Sequence, residues 1–271
     1  MPHGNRWSRQ HRGFGRRLAV AANPLPIRIY TGKSMKSFLF ELCAETLPVA
    51  RIAQSAGADR VELCSQLCVG GVTADLDLAA TVVRELSVPV YALLRPRDGN
   101  FVYSAAEFTQ MRRQLQQLKE VGVSGIVSGV LLPDGRVDLP RSRELVELAR
   151  PLEFTFNRAF DETPDLDEAL EAVIATGADW LLTSGGESDL QKGVDAIARL
   201  VLKSAGRIGV IAGGGLRLSD LEMVLRRSGV RSLHGSLTRE APDLDSTDPL
   251  RALEATVRNA IQKMKAVCTL Q

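Results

Sequence analysis

The 271-residue chain contains no run of about 18 apolar residues, so no membrane span is expected. Cysteine is scarce: four residues, Cys43, Cys64, Cys68 and Cys268, at irregular spacing. That pattern in a chain of this length excludes a disulfide framework and points to a reducing compartment, the cytoplasm. Acidic residues are missing from the first 36 positions, which carry eight Lys or Arg. With those eight set aside, 26 basic residues face 32 acidic ones, so the mildly basic total of +2 hides a mildly acidic body. An acidic body offers no reason to expect a nucleic-acid partner. The leader has Arg16-Arg17 before a short apolar stretch, but Pro24 and Pro26 cut that stretch below the length of an export signal. Residues 1–36 therefore read as a disordered basic extension, and 37–271 as one domain.

What is present is a repeat. Glu41-Leu42-Cys43 and Glu62-Leu63-Cys64 each close a short apolar run. In a strand alternate residues share a face, so each copy presents its Glu and Cys on one side and its Leu on the other. A helical stretch over 48–56 separates the runs, giving a strand-helix-strand unit with parallel strands. The alternation then continues. Helical segments are expected at 75–86, 105–121, 141–149, 167–175, 194–202, 218–226 and 249–264. Strands are expected at 89–95, 125–129, 153–157, 180–183, 207–211 and 231–234. Eight strands and eight helices in about 235 residues fit a closed (β/α)8 barrel of TIM type, with an open doubly wound sheet as the alternative. Gly57, Gly122, Gly177, Gly206 and Gly229 fall just past helical runs, where a left-handed cap favours glycine.

In such a barrel chemistry collects where strands end and loops begin. The candidates there for acid/base work and charge clamping are Glu41, Glu62, Arg95, Arg97, Arg158 and Asp161. Buried carboxylates need partners, which predicts pairing of Glu41 or Glu62 with Arg95, Arg97 or Arg158. The alternative is a salt-bridge cluster that only holds the mouth together. Gly213-Gly214-Gly215, expected to open a helix, together with His234 and Ser236 after the last strand, forms the candidate anion site. Thr183-Ser184-Gly185-Gly186 is a weaker candidate of the same kind. Soft thiolates select Cu(I), and Cys43 and Cys64 on neighbouring strands are the candidate ligands, against a plain reading as two buried apolar thiols or a reversible disulfide. Two thiolates on opposite sides of one ion would stand roughly 4.6 Å apart if each bond is about 2.3 Å.

These residues also carry a family resemblance. Glu-Leu-Cys-Ala-Glu at 41–45, Gly-Ala-Asp-Arg-Val-Glu-Leu-Cys at 57–64, Gly-Gly-Val-Thr at 70–73, Leu-Arg-Pro-Arg at 94–97, Leu-Pro-Asp-Gly at 132–135, Thr-Phe-Asn-Arg-Ala-Phe-Asp at 155–161, Leu-Thr-Ser-Gly-Gly at 182–186 and Ala-Gly-Gly-Gly at 212–215 resemble, in order, the motifs of the CutC family, named for copper homeostasis. The resemblance spans about residues 37–240. It implies a (β/α)8-type barrel, a cytoplasmic protein and Cu(I) held by Cys43 and Cys64. The chain departs from the family pattern at Asn157, which replaces a histidine; an amide is neither a general base nor an imidazole ligand. Two function classes follow, a copper-handling protein or an enzyme acting on a small anionic or phosphorylated metabolite. Either leaves homo-oligomerisation open.

Overall fold

The computed structural model describes residues 38–240 and 248–269. The leader expected over 1–36 lies outside the described residues. Eight parallel strands close into a barrel in chain order, with β1 hydrogen-bonded to both β2 and β8. The elements run β1 Leu39–Ala44, α1 Leu47–Ala56, β2 Arg60–Leu63, α2 Leu76–Glu85, β3 Val90–Leu93, α3 Ala105–Val121, β4 Gly125–Ser128 and α4 Leu139–Ala149. They continue with β5 Glu153–Phe156, α5 Leu166–Thr176, β6 Trp180–Thr183, α6 Leu190–Ser204, β7 Gly209–Ala212, α7 Leu221–Ser228, β8 Ser232–Gly235 and α8 Pro249–Thr269. The closed barrel replaces the open-sheet alternative.

Local chemistry sets the helix ends. Ser104 caps α3 and Glu107 reaches back to the Ser104 N–H, forming a capping box. Asp75 and Asp165 cap α2 and α5 with their carboxylates. Gly57, Gly122, Gly177 and Gly229 end α1, α3, α5 and α7 in the left-handed conformation, as the sequence suggests. After α6 the left-handed cap is Ala205, with Gly206 following it. The helix expected from residue 218 begins at Leu221, because the chain first makes a turn in which the Asp220 N–H donates to the Arg217 carbonyl.

Period-two alternation divides the strand residues. Phe40, Leu42, Val61, Leu63, Ile126, Phe154, Phe156, Leu181 and Leu233 belong to the large apolar layer shared with the helices. Residues on the opposite face fill the barrel interior, and there the apolar material forms two small clusters. Leu39, Trp180, Leu182 and Ile211 make one; Cys43, Cys64, Tyr91, Leu93 and Val127 make the other. Glycine is required at two interior positions. A side chain at Gly125 would collide with the ring of Tyr91, and one at Gly209 with the ring of Trp180. Each large ring is thus accommodated by a missing side chain on the next strand.

Candidate functional site

The two Glu-Leu-Cys copies lie side by side but at different heights. In the β1–β2 register Glu41 stands opposite Arg60 and Cys43 opposite Glu62, so the β2 copy sits two residues nearer the C-terminal mouth. On its other side Glu41 faces His234 of β8. Glu41 is fully buried and has a partner for each oxygen: Arg60 Nε donates to Oε2 at 2.5 Å, and His234 Nδ1 lies 2.7 Å from Oε1. Burial pushes the Glu41 carboxyl up, but the charge of Arg60 and the His234 contact outweigh it and hold the carboxyl at about 2.

Arg60 is the most buried cation among the described residues. Its guanidinium lies 4.0 Å from the ring centre of Tyr91 and 5.0 Å from that of Trp180. Glu153, at the start of β5, accepts from the Tyr91 hydroxyl and from Trp180 Nε1 at 2.9 Å, and lies 3.9 Å from Arg60 Nη1. Together these groups close the N-terminal end of the barrel interior.

The upper layer holds the thiols. Cys43 Sγ and Cys64 Sγ are 3.4 Å apart, both buried, and no disulfide joins them. The contact with Cys64, burial and the charge of Glu62 all push the Cys43 thiol well up, so Cys43 is held as a thiol. Glu62 Oε2 is buried without a hydrogen-bond partner among the described residues, as are Arg60 Nη1, Arg60 Nη2 and Thr155 Oγ1. Burial pushes Glu62 up; the attraction of His234 offsets part of this, the repulsion of Glu41 adds to it, and the carboxyl reaches about 7. His234 is lowered by burial but raised more by Glu62 and Glu41, with a net upward shift. Cys43, Glu62 and His234 each present a ligand atom within 4.8 Å of the others.

The arginines expected to neutralise these carboxylates do not reach them. Arg95 donates to the carbonyls of Gly71 at 2.7 Å, Val69 at 3.1 Å and Gly99 at 2.7 Å, clasping the loops after β2 and β3. Arg97 bonds Glu107 at 2.6 Å and the carbonyls of Asp98, Asn100 and Val102. Arg158 bonds Asp161 at 2.8 Å and Ser184 Oγ at 3.1 Å. All three emerge beyond the strand ends, where loop carbonyls, carboxylates and Ser184 engage them first; Arg60 begins β2 on the inward face and takes the role instead. Its signal was its spacing, two residues before Glu62 on the same strand face.

The other candidates also find definite places. Asp161 fills the Thr183–Gly186 turn, accepting from Thr183 Oγ1 at 2.5 Å, Ser184 N at 2.9 Å, Ser184 Oγ at 2.9 Å and Gly186 N at 3.1 Å. That turn therefore binds an anion already present in the chain. Asn157 uses Oδ1 to accept from the Ala159 N–H at 3.0 Å, a turn-capping role that needs no imidazole. Ser236 contacts Thr238 at 3.2 Å, while His234 turns inward to Glu41. Cys68 is exposed on the short turn Leu67–Val69, and Cys268 lies in α8; neither joins the thiol pair.

Residues 38–239 match the sequence profile of the CutC family. The chain belongs to that family. It is 36% identical over 240 residues to a CutC family protein of Caulobacter vibrioides, covering 84% of this chain and 98% of the relative. It is 38% identical over 211 residues to the human copper homeostasis protein cutC homolog, covering 77% of each. The CutC crystal structure from Streptococcus agalactiae superposes with a TM-score of 0.70 at 28% identity, covering 73% of this chain and 98% of that one. Similarity to an aldolase at 17% identity and a TM-score of 0.55, covering 83% and 94%, concerns the barrel fold alone.

Proposed function

We propose that this CutC family member handles Cu(I) in the cytoplasm, binding it inside the barrel mouth through Cys43 and Cys64. The observation that carries this reading is the Sγ–Sγ separation of 3.4 Å between two buried, unbonded thiols on adjacent strands. Thiolate pairs favour soft, monovalent copper over the hard cations that carboxylates favour. The copper-homeostasis name of the human relative supports the same reading.

The spacing refines the geometry anticipated from strand separation. Two bonds of about 2.3 Å would span roughly 4.6 Å in a linear site, and 3.4 Å is shorter. The pair suits a bent arrangement completed by a third donor. His234 clusters with Cys43 and Glu62, and an imidazole is a better partner for copper than the Glu62 carboxylate. Glu41, bound to His234 Nδ1, would fix the ring in the way a carboxylate orients a ligating histidine. Because Cys43 starts as a thiol, uptake releases its proton, and affinity rises with pH.

The test is an anaerobic competition titration of the reduced full-length protein against a Cu(I) chelator. Cys43→Ser and Cys64→Ser should each remove most of the binding, with the double variant little worse than either single one. Undiminished stoichiometric binding by the double variant would overturn the proposal.

A further inference from the structure

The helix behind the Gly213–Gly215 loop begins later than expected, at Leu221, so the loop stands clear of it. It has gained a cation instead. Arg158, from the end of β5, lies so close over Gly214 that a methyl group there would come within 3.1 Å of its Cζ and 2.9 Å of the Ser184 Cβ. Only glycine permits this approach. Gly214 and Gly215 have φ of 113° and 77°, and the space beside Gly215 is open.

Donor use in this corner is uneven. The Gly213 N–H donates to the Thr183 carbonyl at 3.0 Å, whereas the Gly214 and Gly215 N–H groups have no partner among the described residues. Arg158 is clamped by Asp161 through Nε and by Ser184 through Nη2, leaving Nη1 without a partner among the described residues on a side chain that is 41% exposed. The Asp161 carboxylate does not compete for this edge, because both its oxygens are taken by the Thr183–Gly186 turn and by Arg158 Nε. Two successive backbone donors beside a fixed guanidinium form an anion-binding concavity.

We propose that Gly214, Gly215 and Arg158 form a seat for a phosphate group, either inorganic phosphate or the phosphate of a small phosphorylated metabolite, at the C-terminal ends of β5 to β7. Asp161 and Ser184 are positioning residues that aim Arg158. The seat does not depend on the thiol pair and stands whether or not copper binds there.

The test is a titration of the full-length ¹⁵N-labelled protein with inorganic phosphate, and separately with glycerol phosphate, at constant ionic strength against sodium chloride. The Gly214 and Gly215 amides should shift saturably at millimolar phosphate and not with chloride. Arg158→Gln should weaken the binding at least about tenfold, with Arg158→Lys recovering part of it. If Arg158→Gln fails to fold, Gly215→Ala serves, since its methyl group enters the open space and should also abolish saturation. The Cys43→Ser, Cys64→Ser double variant should bind phosphate as the wild type does, which separates this seat from the copper reading. Tighter binding of glycerol phosphate assigns the seat to a metabolite's phosphate, and equal binding assigns it to inorganic phosphate. Shifts absent from these two amides, reproduced by chloride, or retained in Arg158→Gln would overturn the proposal.

Discussion

The two Glu-Leu-Cys segments share a sequence, an inward face and a barrel, yet their carboxylates end in opposite states. Glu41 sits one layer lower, between Arg60 and His234, and is held ionised at about 2. Glu62 sits one layer higher, buried, with no hydrogen bond to Oε2 among the described residues and His234 Nδ1 at 3.9 Å; burial and the repelling Glu41 below it raise it to about 7. The difference lies in the stagger between β1 and β2, which gives Arg60 to one copy as its neighbour and Cys43 to the other. A repeated motif does not imply a repeated role: the lower carboxylate is held by an ion pair, and the upper one stands beside both thiols.

The comparison breaks most visibly if the lower pair is cut. Arg60→Met leaves Glu41 buried beside His234 alone, and removing one partner of a buried ion pair costs about 3–5 kcal/mol. Urea unfolding should show that loss, and adding Glu41→Gln should restore a large part of it because the two effects are coupled. A double variant that loses the sum of the two single costs would show that the pair does not act as a unit.

A smaller effect of opposite sign is expected at the upper carboxylate. Glu41, lowered from 4.5 to about 2, contributes stability that is present above pH 4.5 and lost as the pH falls toward 2. Glu62, raised from 4.5 to about 7, contributes stability that is present below pH 4.5 and lost as the pH rises through 7. Glu62→Gln should therefore be more stable than the wild type at pH 8, by on the order of 1–3 kcal/mol, and should lose that advantage by pH 4. Denaturant unfolding at the two pH values checks this; a variant less stable at pH 8 would place Glu62 with Glu41 as a paired carboxylate.

The smallest effect belongs to the cysteines outside the pair. Cys68→Ser and Cys268→Ser should leave Cu(I) stoichiometry unchanged in the chelator titration, since the first is exposed on a turn and the second lies in α8. Loss of copper on changing Cys68 alone would make it, and not His234, the third donor.

Much of this was legible in the chain. Apolar runs of period two, helical stretches between them and glycines at helix ends are local signals, so the eight-fold alternation and most cap positions follow from sequence. So do the inward faces of Glu41, Cys43, Glu62 and Cys64, because the pleat fixes which residues share a side. Which residues meet across the barrel is different in kind. That Arg60 and not Arg95, Arg97 or Arg158 neutralises Glu41, that Asp161 fills the Thr183–Gly186 turn, and that Arg158 covers Gly214 depend on strand stagger and loop paths. Residues 19 to 193 positions apart along the chain come into contact there. Sequence determined the barrel and the side of each strand that faces inward. Tertiary structure alone decided the partners, because closing the barrel fixes the relative height of every strand, and charge pairing inside it acts over only a few ångströms.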